Sequence, residues 1–431
     1  MSAHPDLIKD SAVDSAEFPR HGQSWHELQE QMQRFRERDV DWRNSRTGLY
    51  VFHAGDDVME VGAKAYEMYH VENGLGLKTA FPSLNQMYSD VISNGLALFG
   101  APNGGGDMSS GGTESIFLAV KTCRDFHASL GKKVLGATIV APFSAHPAFD
   151  KAAHYLGLEV IRVPVAEDHG ADVAAMAAKI DERTIMLVGS APCYPFGVID
   201  PVRQLGELAQ ANDLWLHVDA CVGGYFLPFL KAAGHSVEAF DFTVPGVRSI
   251  SADLHKYGFA PKAASSVFYR EQSEHQFQQF AFNAWPCGEM TTPTASGSRP
   301  GGAIAGAWAV QHYLGQDGYM ERALQVVEAQ SIIVTGVEEF GLHALHADAL
   351  PILALATPKG QMGPIWSGLR KQGWYLGGVQ TPEALHMMVQ PNHLRVAHEL
   401  VAAIGQSVES VRRRASTGKQ DDGGSGGPRY A

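Results

Sequence analysis

The chain has 431 residues, 45% of them hydrophobic and 19% charged, with Lys+Arg 34 against Asp+Glu 46 and a formal net charge of -12. Such a composition supports one large core plus a smaller one, and its acidic balance excludes a typical nucleic-acid binder. No apolar run spans a bilayer, no signal-peptide pattern opens the chain, and Cys123, Cys193, Cys221 and Cys287 form no CxxC pair or metal spacing; a soluble, metal-free protein of a reducing cytoplasm is expected.

In chain order, residues 1–20 are polar and mixed and read as a loose arm. Helical spacing of charged and apolar residues covers Trp25 to Trp42, and the two together make an N-terminal segment, 1–55. Arg46-Thr47-Gly48-Leu49-Tyr50 reads as a turn leading to an exposed segment. Helices are expected over Asp56 to Tyr69 and Ser83 to Phe99, with the glycine-rich loop Asn73-Gly74-Leu75-Gly76-Leu77-Lys78 between them. Next comes Ser109-Ser110-Gly111-Gly112-Thr113-Glu114-Ser115. It precedes Ile116, Val120, Cys123 and Phe126, which share one helical face. A Ser/Gly turn that opens a helix offers unpaired N–H groups and the positive end of the dipole, the ingredients of a phosphate site. It is neither a Walker loop nor a dinucleotide fingerprint, because the Gly-Lys-Ser/Thr and GxGxxG spacings are both missing.

Apolar runs at Val134 to Val140, Leu158 to Val163, Ile185 to Val188 and Leu214 to Val218 then read as buried strands separated by helices. One such helix is Pro201 to Asn212, with Asp200 as its expected N-cap. The alternation predicts an α/β fold with a mainly parallel sheet, whose ligands bind beyond the carboxyl ends of the strands. His146, Tyr194, Asp219 and Lys256 all follow such ends. The large domain is expected over 56–285. Beyond it, Ser296-Gly297-Ser298-Arg299-Pro300-Gly301-Gly302 precedes an apolar helix, Ala303 to Leu314, and a long segment to about Phe340. Strands at Pro351 to Thr357 and Leu385 to Val389, and helices at Pro364 to Gln372 and Asn392 to Arg414, complete a smaller α+β domain over 286–414. The Gly-rich tail, 415–431, is expected to be disordered.

The polar residues at the strand ends carry chemistry as a set. A lysine following a short strand, as in Ser249-Ile250-Ser251-Ala252-Asp253-Leu254-His255-Lys256-Tyr257-Gly258, is costly to bury as a free cation, and forming a Schiff base removes that cost. A lone lysine there would simply snorkel to water. Asp219 alone would be an ordinary cap or ion pair, and His146 an ordinary loop histidine. Together, Gly-Gly-Thr, His146, Asp219 and Lys256 follow the chain order of a fold-type-I pyridoxal-phosphate enzyme.

The chain resembles the sphingosine-1-phosphate lyase family within the pyridoxal-phosphate decarboxylase group. The carrying stretches are Ser110 to Ile116, Ser144-Ala145-His146-Pro147-Ala148-Phe149-Asp150-Lys151, Gly197-Val198-Ile199-Asp200-Pro201, His217-Val218-Asp219-Ala220-Cys221-Val222-Gly223-Gly224, Ser249 to Lys262 and Gly297 to Gly302. The resemblance implies pyridoxal 5'-phosphate bound to Lys256, with Asp219 on the pyridine nitrogen and His146 stacked on the ring. It places Gly111, Gly112 and Thr113 on the phosphate, with His255 and Ser251 assisting, and an aromatic residue, Tyr194, near the ring. Tyr50 and Lys262 match residues near the substrate phosphate or needed for activity. Ser298 and Arg299 are implied to reach in from a neighbouring subunit, since the family is dimeric with its sites at the interface. The implied reaction is retro-aldol scission of a phosphorylated long-chain amino alcohol, giving a fatty aldehyde and phosphoethanolamine. Eukaryotic members carry a membrane anchor, and no such segment is visible in this sequence.

The sequence departs from the family at the substrate end. The stretch Asn73 to Ala80 lacks the family's histidine, Ala191 replaces a threonine, and Ala263 follows Lys262 where glycine is usual. Three rivals follow: an amino-acid decarboxylase, a lyase for another β-hydroxy amine, and a non-catalytic nucleotide-binding α/β protein. The last leaves Lys256 and Asp219 without a role.

Overall fold

The computed structural model describes residues 18–346 and 350–416. Most of the expected arm, and the tail beyond Ser416, lie outside the described residues.

The chain divides into a unit ending at Asp41 and a second beginning at Trp42. The described part of the first contains helix α1, Trp25–Arg36. Ser24 opens it with a reciprocal cap: its hydroxyl accepts from the Glu27 amide at 3.3 Å, and the Glu27 carboxylate accepts from the Ser24 amide at 2.7 Å. The helix stops six residues before the expected Trp42.

The second unit is built on a seven-stranded sheet in the order β1-β7-β6-β5-β4-β2-β3. Its strands are β1 (Gly105–Ser109), β2 (Thr138–Pro142), β3 (Glu159–Val163), β4 (Thr184–Ser190), β5 (Trp215–Asp219), β6 (Val247–Ala252) and β7 (Ser265–Tyr269). Strands β2 to β6 run parallel, and β7 is antiparallel to both β6 and β1. Every residue of β2, β4 and β5 is buried, as continuous apolar runs between two helical layers require.

The five parallel strands match sequence expectation within a few residues, but β1 and β7 escape it. Strand β1 begins Gly105-Gly106-Asp107 and carries no apolar run that would mark a strand. Its glycines are needed by their neighbours: a Cβ on Gly105 would lie 2.5 Å from the His275 ring, and one on Gly106 2.7 Å from Phe268. The expected face of Ile116, Val120 and Cys123 is buried on helix α4, Gly112–Ser129, which starts directly after β1. Helices α2 (Asp56–Met68) and α3 (Pro82–Leu98) also stand where the spacing places them.

Asp200 does not cap the following helix, which spans Val202–Ala211 with Pro201 as its cap residue. Its buried carboxylate instead accepts the backbone N–H groups of Ser190 at 2.7 Å and Ala171 at 2.8 Å. It thereby pins the carboxyl end of β4. The segment after Arg46 is also more enclosed than expected. Gly48 donates to the Tyr375 carbonyl at 3.0 Å and accepts from the Met388 amide at 2.8 Å, and only at Tyr50 does the chain turn outward.

A small hairpin, β8 (Phe280–Phe282) with β9 (Met290–Thr292), follows the main sheet. The helix Gly301–Glu338 then covers both the expected apolar helix and the long segment behind it. Gly315, at φ 56°, breaks its regular backbone one residue after the expected end. A second, antiparallel sheet has the order β10-β11-β13-β12, from β10 (His343–Ala344), β11 (Ile352–Ala356), β12 (Gly377–Gln380) and β13 (Glu383–Met388). The last helix, Ala397–Ser416, carries the Arg412–Arg414 run in its final turns.

Candidate active site

The carboxyl ends of β2, β4, β5 and β6 converge on a cavity of about 390 Å³, lined among others by His146, Tyr194, Asp219, Cys221, His255 and Lys256. Lys256 arrives on a tight turn: its amide bonds the Asp253 carbonyl at 3.3 Å, and the Asp253 amide bonds the Cys221 carbonyl at 3.3 Å. The turn also places the Asp253 carboxylate, 1% exposed, 2.8 Å from Lys256 Nζ. Burial works against the lysine cation, but Asp253 outweighs it, with Cys221 and Asp219 adding to the pull, so the amine titrates above its ordinary value. The pair is consistent from the other side, since burial raises the Asp253 carboxyl but Lys256 and His255 bring it below its usual value. Immediately beyond, the buried Tyr257 hydroxyl donates to the carbonyls of Val389 at 2.6 Å and Pro351 at 3.1 Å.

Asp219 ends β5 with its Oδ1 accepting from the Cys221 amide at 3.1 Å and the Ser251 hydroxyl at 3.2 Å. Behind it runs a buried chain. Trp215 Nε1 donates to Ser249 Oγ at 2.7 Å, Ser249 Oγ meets His217 Nδ1 at 2.7 Å, and His217 Nε2 meets Ser251 Oγ at 3.2 Å. Burial pushes His217 down to about 4, so its ring is neutral. One proton assignment satisfies every contact: Ser249 donates to Nδ1, Nε2–H donates to Ser251, and Ser251 donates to Asp219. The whole relay therefore stabilises a negative charge at Asp219. Ser251, expected to assist at the phosphate, is not among the residues lining the cavity. It lies beneath Asp219 and acts on it.

His146 reaches the cavity from the loop after β2. The Ala148 amide donates to its Nδ1 at 3.1 Å, and burial keeps its pKa below the ordinary value. The ring is therefore neutral with its proton on Nε2 and adds no charge to the cavity.

The N-terminus of α4 forms the opposite wall. Gly111 caps it with no side-chain hydrogen bond, leaving the first amides of the helix to the cavity. Gly112 must be glycine, because a Cβ there would lie 2.7 Å from Cys221 Sγ and 3.0 Å from Asp253 Oδ2. His255 flanks this turn: a Cβ on Gly111 would meet its Cε1 at 3.5 Å. The Ala264 amide donates to its Nδ1 at 3.1 Å, and burial lowers its pKa. These groups fit pyridoxal 5'-phosphate. The uncapped amides, with Gly111, Gly112 and Thr113, suit the phosphate. Asp219 suits a protonated ring nitrogen, His146 a ring face, and Lys256 the aldehyde.

At the rim stand Tyr50, Tyr194 and Lys262. Tyr50 is held at φ 65°, in the left-handed region that a bulky residue rarely occupies. Burial and the Lys256 charge hold the Lys262 amine below its usual value. Tyr194 packs on His386 with ring centroids 4.6 Å apart, and His386 Nε2 bonds the Tyr194 carbonyl at 2.8 Å. Ser298 and Arg299 do not line the cavity of their own chain. Ser298 accepts from Asn73 Nδ2 at 2.9 Å, and Arg299 donates to the Gly74 carbonyl at 2.7 Å. The loop carrying them is tied to the cavity wall through Glu114, which accepts from the Ala295 amide at 2.9 Å and the Ser110 amide at 2.7 Å.

Sequence reading missed Asp253. Its signal was an acid three residues before the lysine, both just past a strand end. No metal-binding cluster exists among the described residues.

The fold and cavity define a pyridoxal-phosphate enzyme of the decarboxylase type, and residues 12–345 match the family described as "Pyridoxal-dependent decarboxylase conserved domain". A sphingosine-1-phosphate lyase of Oryza sativa subsp. japonica is 40% identical over 385 residues, 87% of this chain and 71% of that protein. The solved structure of a sphingosine-1-phosphate lyase of Burkholderia pseudomallei superposes with a TM-score of 0.87 at 33% identity, covering 96% of this chain and 98% of the other. A probable L-tyrosine/L-aspartate decarboxylase of Methanocella arvoryzae is 35% identical over 81% of this chain and 90% of its own. The chain belongs to the pyridoxal-dependent decarboxylase family, in its sphingosine-1-phosphate lyase branch.

Proposed function

We propose that this protein cleaves a phosphorylated long-chain amino alcohol such as sphingosine-1-phosphate between C2 and C3, releasing a fatty aldehyde and phosphoethanolamine. The observation that carries this reading is the second lysine. Lys262 stands at the rim of the cavity that holds Lys256 and Asp219, so a phosphate there would leave the substrate amine facing Lys256. The likeness to lyases from plants, animals and a bacterium supports it.

When bound, pyridoxal phosphate supplies an electron sink for the pair released at C2. Lys256 Nζ would hold the cofactor at the cavity wall where the substrate amine arrives. Asp219, bonded by Ser251 and the Cys221 amide, would hold a positive charge on the ring nitrogen. His146 would cover one ring face and exclude water there. Tyr50 and Lys262 grip the substrate phosphate, which orients the C2–C3 bond for scission. As that bond breaks, the 3-hydroxyl proton leaves and C2 gains one, so the atoms balance. Because a decarboxylase differs only in which C2 bond is aligned, the grip on the far end of the substrate decides the reaction.

The enzyme works as a homodimer in the cytoplasm, with Ser298 and Arg299 approaching the partner subunit's cavity. The exposed Phe280, Phe282 and Trp285 on and beside the β8–β9 hairpin support such an interface, and the four unpaired cysteines support a reducing compartment. No helix among the described residues is long and apolar enough to cross a membrane.

The test is a product assay on sphingosine-1-phosphate beside a panel of amino acids. Aldehyde and phosphoethanolamine are expected. Carbon dioxide from an amino acid, with no aldehyde, would establish a decarboxylase instead.

A further inference from the structure

Two further cavities share walls with the catalytic one, and their chemistry differs. One, of about 440 Å³, meets it at Phe52, His255 and Lys262, and contains His53 and Glu67 as well as apolar side chains. The other, of about 250 Å³, meets it at Tyr50, His146 and Tyr194. Its remaining walls include Leu49, Pro147, Pro195, Tyr375, Leu376 and Val379, and no Asp, Glu, Lys or Arg lines it. Burial pushes His386, a histidine in this wall, down to about 4, which leaves it neutral.

We propose that this uncharged cavity behind His146 and Tyr194 receives the hydrocarbon chain of the substrate, and that its wall on β12 sets the chain length accepted. The inference rests on the function proposed above. A phosphorylated amino alcohol with a long tail has one charged end and one apolar end, with the reacting carbons between them. The catalytic cavity shares Lys262 with one neighbour and His146 and Tyr194 with the other, uncharged one. Placing the phosphate at Lys262 sends the tail past Tyr194, where burying it carries no desolvation cost for a charged wall. Gly378 and Val379, on edge strand β12, then meet the tail's end.

The test uses the cofactor-loaded enzyme and phosphorylated amino alcohols of increasing chain length. In the unaltered enzyme kcat/KM rises about fourfold per added methylene until the cavity is full. Gly378→Leu and, independently, Val379→Phe shorten the cavity from its β12 wall. Each should lower kcat/KM for a long chain about 50-fold, the equivalent of about three buried methylenes, while a short chain changes by less than about twofold. A second readout is the dissociation constant of a long-chain phosphorylated amine lacking the 3-hydroxyl, followed by cofactor absorbance, which should weaken in parallel. Ala63→Leu, in the lysine-bearing cavity, is the control and should not discriminate by chain length. If Ala63→Leu discriminates and the β12 variants do not, the tail lies in the other cavity and the proposal fails. Turnover that ignores chain length in the unaltered enzyme also overturns it, yet leaves the lyase reading intact. Failure to turn over any phosphorylated amino alcohol overturns both.

Discussion

Replacing Asp253 by Asn removes the carboxylate that lies 2.8 Å from Lys256 Nζ. In the cofactor-free protein this leaves a lysine cation whose side chain is 24% exposed with a neutral neighbour. Breaking a buried pair costs about 3–5 kcal/mol, and the partial exposure of Lys256 points to the lower end, about 3 kcal/mol. The lysine pKa is raised by the pair, so its stabilisation is fully present below its ordinary value of 10.5 and fades as the pH rises above it. The aspartate pKa is lowered, so its share is present above 3.8 and fades as the pH falls below it. Urea unfolding of cofactor-free protein should therefore show a nearly constant loss across neutral pH that shrinks at both extremes. The same substitution should speed cofactor loading at about pH 7 by at least tenfold. Each unit by which the lysine pKa falls raises the free-amine fraction about tenfold. A variant within about 0.5 kcal/mol of the unaltered protein at neutral pH, or one that loads no faster, would refute the pair as the group that holds the lysine charged.

Gly112→Ala should weaken pyridoxal-phosphate binding at least tenfold by absorbance titration, because its Cβ would lie 2.7 Å from Cys221 Sγ, whereas Gly111→Ala, whose nearest contact is His255 at 3.5 Å, should cost far less. Lys262→Met should raise KM for a phosphorylated substrate at least tenfold while the cofactor spectrum stays unchanged, as expected for loss of a charge-assisted phosphate contact. Stability should fall steeply as the pH drops from 6.5 to about 4, because burial holds His127, His217, His386 and His393 each near 4 and their neutral forms belong to the fold. Asp200, raised to about 7, acts in the opposite sense, losing stability as the pH rises from 3.8 towards 7. Four histidines outweigh one acid, and a urea midpoint that stays flat over that window would contradict their burial as neutral rings.

Strands β2, β4 and β5 were legible because each is a short, largely apolar run closed by turn residues, and every residue in them is buried. Lys256, Asp219, His146 and the Gly111-Gly112 turn were legible for a related reason. Parallel strands deliver their ends to one place, so residues scattered through the chain meet without any sequence contact between them. What escaped were features set by neighbours far along the chain. Strand β1 carries no apolar run, and only Phe268 and His275 packed against it account for its glycines. Asp200 looks like a helix cap until the amides of Ser190 and Ala171 claim its carboxylate. Ser251 looks like a ligand of the cofactor until His217 is found beneath it, completing a relay that turns its hydroxyl toward Asp219.

The hydroxyl of Tyr257 spans the two halves of the body. One residue from the reactive lysine, it is moored to Pro351 and to Val389, both outside the seven-stranded sheet. Any sliding of the later sheet against the earlier one is thus handed to Lys256 through a single rigid ring, with no loop to absorb it. A chain severed between Glu338 and Ile352 would retain every strand of the larger sheet and still lose the anchor that aims its nucleophile. Assembly of the reactive centre must therefore wait for the last third of the polypeptide.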